Sequence, residues 1–239
     1  MELVDSHCHL FSLKDYELPS DITPVVVGYS HGSNAKAVKI AKGKYPYVLG
    51  IAPQTALKEG IGRLDEWIAF IRENRPNAIG EIGLDYKWAA TKADVHKEEV
   101  VFKAMLDLAD ELKLPLVIHS RNNPAENEVP KNAIDDILDR ISGRRYMMHF
   151  FSGDEKQAER VVDDGGILSI IHLHSKIRRK VINTVDLDRM VVESDCPYVG
   201  RTPESIRQAI DYIAEVKGLS KEMVAEQTTR NAKDFFGFD

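Results

Sequence analysis

Eight short apolar runs punctuate the chain, at residues 2–4, 24–28, 47–50, 78–82, 116–119, 146–149, 167–171 and 190–193. Most are only four or five residues long and apolar throughout. That is the pattern of strands buried on both faces, as in a parallel sheet covered by helices. The segments between them carry helical periodicity. It is clearest over 92–112, where Val95, Phe102, Met105, Leu106, Ala109 and Leu112 fall on one face. Thr91 with Asp94 three residues later resembles a capping box at its start. Residues 64–73, 154–164, 204–217 and 220–236 also read as helices, with Pro203 suited to a first turn, Gly218 to a helix end and Ser220 to a cap.

Eight β-α units in 239 residues is the arithmetic of an α/β chain folded as a (β/α)8 TIM barrel, a single domain over 1–239. A doubly wound open sheet satisfies the same periodicity. No linker, low-complexity tract or composition shift divides the chain. With 43% hydrophobic and 29% charged residues it is neither collagen-like, mucin-like nor disordered. No apolar run is long enough to span a membrane, and no basic, apolar leader opens the chain. Two cysteines without such a leader point to a reduced, cytoplasmic location. The net charge of −6 argues against a protein that coats nucleic acid, but not against catalysis on phosphate esters.

The polar residues separate the two architectures, because a barrel carries its chemistry at the C-terminal ends of its strands. The first run leads into Asp5-Ser6-His7-Cys8-His9, the fourth into Gly80-Glu81-Ile82-Gly83-Leu84-Asp85-Tyr86, and the fifth ends in His119-Ser120-Arg121. The sixth ends in His149-Phe150-Phe151-Ser152-Gly153 and the eighth leads into Glu193-Ser194-Asp195-Cys196-Pro197-Tyr198. In an extended stretch, His7 and His9 project to the same side and Cys8 away from it, so both imidazoles can chelate one cation. Glu81 lies among Ala, Ile and Gly, where an acid is costly unless paired or metal-bound. His119 and His149 each end an apolar run at the same end of neighbouring strands, which favours a ligand role for both.

These blocks, in this order, resemble the TatD family of metal-dependent hydrolases and deoxyribonucleases, within the wider amidohydrolase-like barrels. The segment Thr229-Arg230-Asn231-Ala232-Lys233-Asp234-Phe235-Phe236 resembles the family's C-terminal helix, so the resemblance covers nearly the whole chain. It implies two divalent ions: His7, His9 and Asp195 hold one, His119 and His149 the other, and Glu81 bridges them. Zinc, magnesium and manganese all suit these ligands and the implied chemistry. The implied activity is phosphodiester cleavage through a metal-activated water, with Asp195 as general base and Glu81 as the second catalytic carboxylate. The implied substrate is DNA, with no membrane and no obligate protein partner. The planar fork of Arg121 suits a substrate phosphate, and Arg201 follows another strand end that carries site residues.

Two departures affect the substrate mouth. Many family members carry a His in a Gly-x-His-Pro block after the third strand; here the block reads Gly50-Ile51-Ala52-Pro53. The loop after Tyr198 is also shorter, reading Val199-Gly200-Arg201-Thr202-Pro203. They keep open a second reading, a small-molecule ester, lactone or amide hydrolase that uses the same ligands. A binding scaffold without turnover would be expected to have lost ligands, and all six are present. His31 and the pair His172 and His174 are extra histidines at the same rim, read as loop residues or as substrate contacts that compensate for Ala52.

Overall fold

The computed structural model describes residues 1–239. Its elements in chain order are β1 (Leu3–Cys8), β2 (Ile22–Val27), α1 (His31–Ala41), β3 (Tyr47–Leu49), α2 (Pro53–Glu59), α3 (Leu64–Asn74), β4 (Ala78–Asp85) and α4 (Lys92–Leu112). There follow β5 (Leu116–Arg121), α5 (Ala133–Ile141), β6 (Tyr146–Met148), α6 (Glu155–Asp163), β7 (Ile167–Ile170), α7 (Lys176–Thr184), β8 (Met190–Val192), α8 (Ile206–Lys217) and α9 (Lys221–Phe236).

The eight strands form one sheet in the order β1 to β8, each parallel to the next. A doubly wound sheet would reverse its strand order at a switch point. This one never does, so the chain is a (β/α)8 barrel. The β8–β1 seam is joined just beyond the strand ends, where Asp195 N–H donates to the His7 carbonyl at 3.0 Å and His9 N–H to the Cys196 carbonyl at 2.8 Å.

Period-two alternation sorts each strand into two faces. On β5, Leu116 and Ile118 join the large core between strands and helices, while Val117 joins the smaller core inside the barrel. Tyr146 and Met148 of β6 face outward in the same way, and Met147 faces inward. The inner core also takes Val4, Val25, Val48 and Val191, and Ala232, Phe235 and Phe236 of α9 pack against it. The C-terminal helix therefore plugs the apolar end of the barrel, and the polar continuations of the strands are left for the other end.

Three strands run further than their apolar cores: β1 reaches Cys8, β4 reaches Asp85 and β5 reaches Arg121. Their upper turns keep the extended ladder but exchange apolar for ligand-type residues. Four helices were not singled out by periodicity. In α1 only small or polar residues are buried, namely Ser33, Asn34, Ala37 and Ala41. In α7 only Val181 and Ile182 are. The two-turn α2 starts on Pro53, and α5 follows a polar stretch, although its Ile134, Ile137, Leu138 and Ile141 make a fully buried face. No helix is long and apolar enough to cross a membrane.

Gly83 shows how tightly β4 and β5 are drawn together. Its φ is +148°, and a Cβ there would lie 1.9 Å from the His119 carbonyl oxygen. Gly83→Ala should therefore push apart the two strands that carry Glu81 and His119 and cost about 3 kcal/mol, the upper part of the range for overpacking. Urea unfolding checks this. An unchanged midpoint would show that the ladder absorbs the methyl group.

Candidate metal centre

The alternation that puts Val117 inside the barrel also puts His119 and Arg121 there, two and four residues up β5. Met147 on β6 is followed in the same sense by His149. His7 and His9 come from the end of β1, Glu81 from β4, and Asp195 from the turn after β8. Asp195 sits in the left-handed region at φ 47°, as does Phe150 at φ 44°. Side chains other than glycine take this conformation only where the surroundings hold it. At Asp195 the hold comes from its own N–H on the His7 carbonyl and from the Tyr198 and Val199 N–H groups on its carbonyl.

The six predicted ligands converge. His7, His9 and Asp195 form one group of possible metal ligands, and Glu81, His119 and His149 another, with the donor atoms of each group within 4.8 Å of one another. A four-coordinate ion with bonds of about 2.0–2.1 Å spaces its donor atoms about 3.4 Å apart. In the first group His7 Nε2 to His9 Nε2 is 3.4 Å, His9 Nε2 to Asp195 Oδ1 is 3.4 Å and His7 Nε2 to Asp195 Oδ1 is 3.9 Å. That spacing fits a cation. Glu81 divides its oxygens between the groups: Oε2 lies 3.8 Å from His7 Nε2, while Oε1 lies 2.7 Å from His119 Nδ1 and 4.0 Å from His149 Nε2.

The other nitrogen of three of these imidazoles is oriented by an oxygen. His9 Nδ1 lies 2.7 Å from the Val27 carbonyl, His119 Nε2 lies 2.9 Å from Asp85 Oδ2, and His149 Nδ1 lies 2.9 Å from Glu193 Oε1. An acceptor on the far nitrogen fixes the tautomer and aims the near lone pair, as is usual for metal-bound histidine. Only His7 lacks this, since its buried Nδ1 has no partner. Gln54 Nε2 donates to the same Asp85 oxygen at 2.8 Å. Asp85, Glu193 and Gln54 were not predicted as site residues. The two acids lie inside the quoted sequence blocks, but nothing in their spacing separates an orienting carboxylate from a ligand.

The charge balance also favours cations. Burial works against an ionised Glu81, but the His119, His149 and His7 imidazoles outweigh it and hold its pKa well below the usual carboxylate range. Burial likewise opposes a charged His119, yet Asp85 and Glu81 raise its pKa to about 10. Glu193, with Asp195 and Glu81, overcomes burial at His149 and raises it to about 9. His7 goes the other way: burial and the nearby His149 and His9 push it well below its ordinary value. Without metal, protons on His119 and His149 supply part of the positive charge that the carboxylates require.

A cavity of about 850 Å³ opens over these groups. His9, Glu81, His119, His149 and Asp195 form its floor, with Ala52, Gln54, Lys58, Arg121 and four aromatic residues around them. The aromatics are Tyr29, Trp88, Phe150 and Tyr198; Trp88 is 61% exposed and Tyr198 58%. The other predicted contacts lie elsewhere. His31 begins α1, 3.6 Å from Glu66 and against Phe70, and His174 stacks on Tyr212 at 3.8 Å. Neither they nor His172 and Arg201 line the cavity.

Metal must displace the protons on His119 and His149, so binding near pH 7 should release protons and weaken as the pH falls from 9 to 6. Calorimetry in buffers of different ionisation enthalpy measures that release; none at pH 7 would show that these imidazoles are already neutral. Asp85→Asn and Glu193→Gln should each weaken metal binding about 10–100-fold, the usual cost of losing an orienting carboxylate. Titration of the metal-free variants checks this second outcome.

The family model described as TatD related DNase matches residues 4–237. The Bacillus subtilis protein named "Uncharacterized metal-dependent hydrolase YabD" is 28% identical, with 98% of each chain covered. The human protein named deoxyribonuclease TATDN3 is also 28% identical, over 98% of this chain and 94% of that one. Among solved structures, the TatD homologue YJJV from Escherichia coli superposes with a TM-score of 0.80 at 21% identity, over 99% of this chain and 98% of that one. A TatD family hydrolase from Entamoeba histolytica gives the same TM-score at 17% identity, over 98% and 97%. The chain belongs to the TatD-related DNase family, and its barrel carries the donor groups of a metal-dependent hydrolase.

Proposed function

We propose that residues 1–239 act as one catalytic barrel that hydrolyses phosphodiester bonds of DNA with two divalent ions. The carrying observation is the division of Glu81 between two donor groups, Oε2 toward His7 and Oε1 toward His119 and His149, at the floor of one cavity. His7, His9 and Asp195 would hold one ion, His119 and His149 the other, with Glu81 between them. The deoxyribonuclease name of the human relative supports DNA as the substrate. The imidazole count favours zinc, while the carboxylates and phosphoryl chemistry also suit manganese or magnesium. The free, buried thiols of Cys8 and Cys196 suit a reducing compartment, the cytoplasm.

Bound divalent ions supply Lewis acidity, lowering the pKa of water and stabilising charge on phosphoryl oxygens. The chain's own groups do the rest. Asp195 presents Oδ1 to the first donor group at the cavity wall and takes the proton of the attacking water. Arg121 lines the same cavity with no carboxylate on it, so its fork is free for a phosphate oxygen. Glu193 accepts the Phe150 N–H as well as meeting His149, which fixes the wall where the strand would lie. His31, His172, His174 and Arg201 sit outside the cavity and have no part in this step.

Asp195→Asn keeps a carbonyl oxygen toward the ion but accepts no proton at neutral pH. It should lower kcat by about 10²–10⁴-fold, the usual contribution of a general base, with metal content unchanged. Near-normal turnover with full metal content would move that role to another group. The wider test is a screen of the protein reconstituted with zinc, manganese or magnesium against single-stranded DNA, duplex DNA, RNA, a simple phosphodiester and a carboxyl ester. Best turnover of the carboxyl ester would favour the small-molecule hydrolase reading.

A further inference from the structure

Arginines on the helical surface are paired: Arg72 with Glu111, Arg144 with Asp110, Arg179 with Glu215 and Arg207 with Asp21. At the polar end of the barrel three have no carboxylate partner: Arg121 at the end of β5, Arg201 after β8 and Arg178 in the first turn of α7. Arg121 and Arg201 are exposed, where water satisfies their donors. Arg178 differs. It is half-buried, its Nε is a buried donor with no partner, and its terminal nitrogen reaches only the Leu173 carbonyl. Burial pushes its pKa below the usual value.

A buried N–H without an acceptor is costly, and a desolvated cation more so. The guanidinium lies 5.5 Å from the Phe150 ring centre, within reach of a cation–π contact. Phe150 in turn lines the cavity and lies 6.2 Å from the His149 ring. Those two steps keep the guanidinium within about 12 Å of the His149 ring, close enough for a backbone phosphate that neighbours the one at the donor groups. Phe150 is held in place by the Glu193 carboxylate that orients His149, so the spacing from donor group to guanidinium is built in.

We propose that Arg178 binds a backbone phosphate flanking the scissile bond, with the intervening base against Phe150, so that the site takes an oligonucleotide in preference to an isolated phosphodiester. The inference rests on the phosphodiesterase reading and names a contact beyond its cavity. The accessible part of the half-buried guanidinium presents a planar fork, which suits a phosphate better than an ammonium would.

The test compares wild type, Arg178→Ala and Arg178→Lys on a single-stranded 12-mer and on bis(p-nitrophenyl) phosphate. For Arg178→Ala the ratio of kcat/KM for the 12-mer to that for the small diester should fall about tenfold, the loss of one charge-assisted contact. Arg178→Lys should recover part of it. Binding of the 12-mer to metal-free protein in chelator, followed by anisotropy, should lose roughly one unit or less of salt slope in the alanine variant. An unchanged ratio with an unchanged slope overturns the proposal, and so does an equal fall on both substrates, which marks Arg178 as a prop for Phe150. If the wild type hydrolyses the small diester but neither binds nor cleaves the 12-mer, the DNA reading itself fails, and that result appears without any variant.

Discussion

Carboxylates and imidazoles buried at the end of an apolar barrel must neutralise one another, and most of the structure around the site follows from that requirement. Glu81 is only 7% exposed and Asp85 and Glu193 are fully buried. Each is stable there because an imidazole or a backbone N–H meets it. His119 lies between Glu81 and Asp85, and His149 between Glu193 and Glu81. Asp195 meets only His9 and His7, and burial keeps the latter from charging. The array is therefore short of positive charge on the β1–β8 side. A divalent ion supplies it there more fully than protons do.

That side is also where the barrel has no ladder. Asp5 closes it, accepting from Ser194 through both its backbone N–H and its hydroxyl, while its Oδ1 also meets the His7 N–H. Burial holds the Asp5 pKa well above the usual range, against the pull of those hydrogen bonds. The seam thus ties His7 and Asp195, residues far apart in sequence, through one carboxylate and two backbone hydrogen bonds. Ser6 adds a second tie, donating to the Val192 carbonyl at 2.9 Å. The ties at this seam hold His9 and Asp195 at a 3.4 Å separation.

Architecture and the converging donor residues were legible in the sequence for one shared reason. Strands buried on both faces must be apolar, so the first polar residues after each run mark the barrel's end. Histidine or acid recurring there, as at His7, Glu81, His119, His149 and Asp195, is a strong pattern. The orienting residues were not legible, because Asp85 and Glu193 differ from the candidate donors only in which imidazole nitrogen they face. Nor was Glu98, buried on α4 with one oxygen on the Asp85 N–H and raised by burial to about pKa 8. Its spacing matches the apolar face of the helix, and only the neighbouring strand shows what it meets. The helices α1 and α7 escaped for the opposite reason: they bury few or no large apolar residues, so they carry no periodic signal.

The mouth obeys different rules from the floor. Floor residues sit on the strands or within three residues of a strand end, where the barrel frame fixes them, whereas Ala52, Gln54, Trp88 and Tyr198 sit on loops or on the first turn of a short helix. At the position where the family resemblance leads one to expect histidine, Ala52 has only a methyl group to offer the cavity. Gln54, two residues on, donates to Asp85 instead, so this segment still braces His119, but from outside the donor group. The donor groups are all in place beside it, so the departure is confined to the mouth. Trp88 extends the change: its backbone N–H is tied to Asp85, while its ring stands free at the cavity edge. The same carboxylate thus orients His119 on one side and a cavity-lining loop on the other. Changes in substrate preference can therefore accumulate in the loops only while Asp85 and the strand beneath it stay in place.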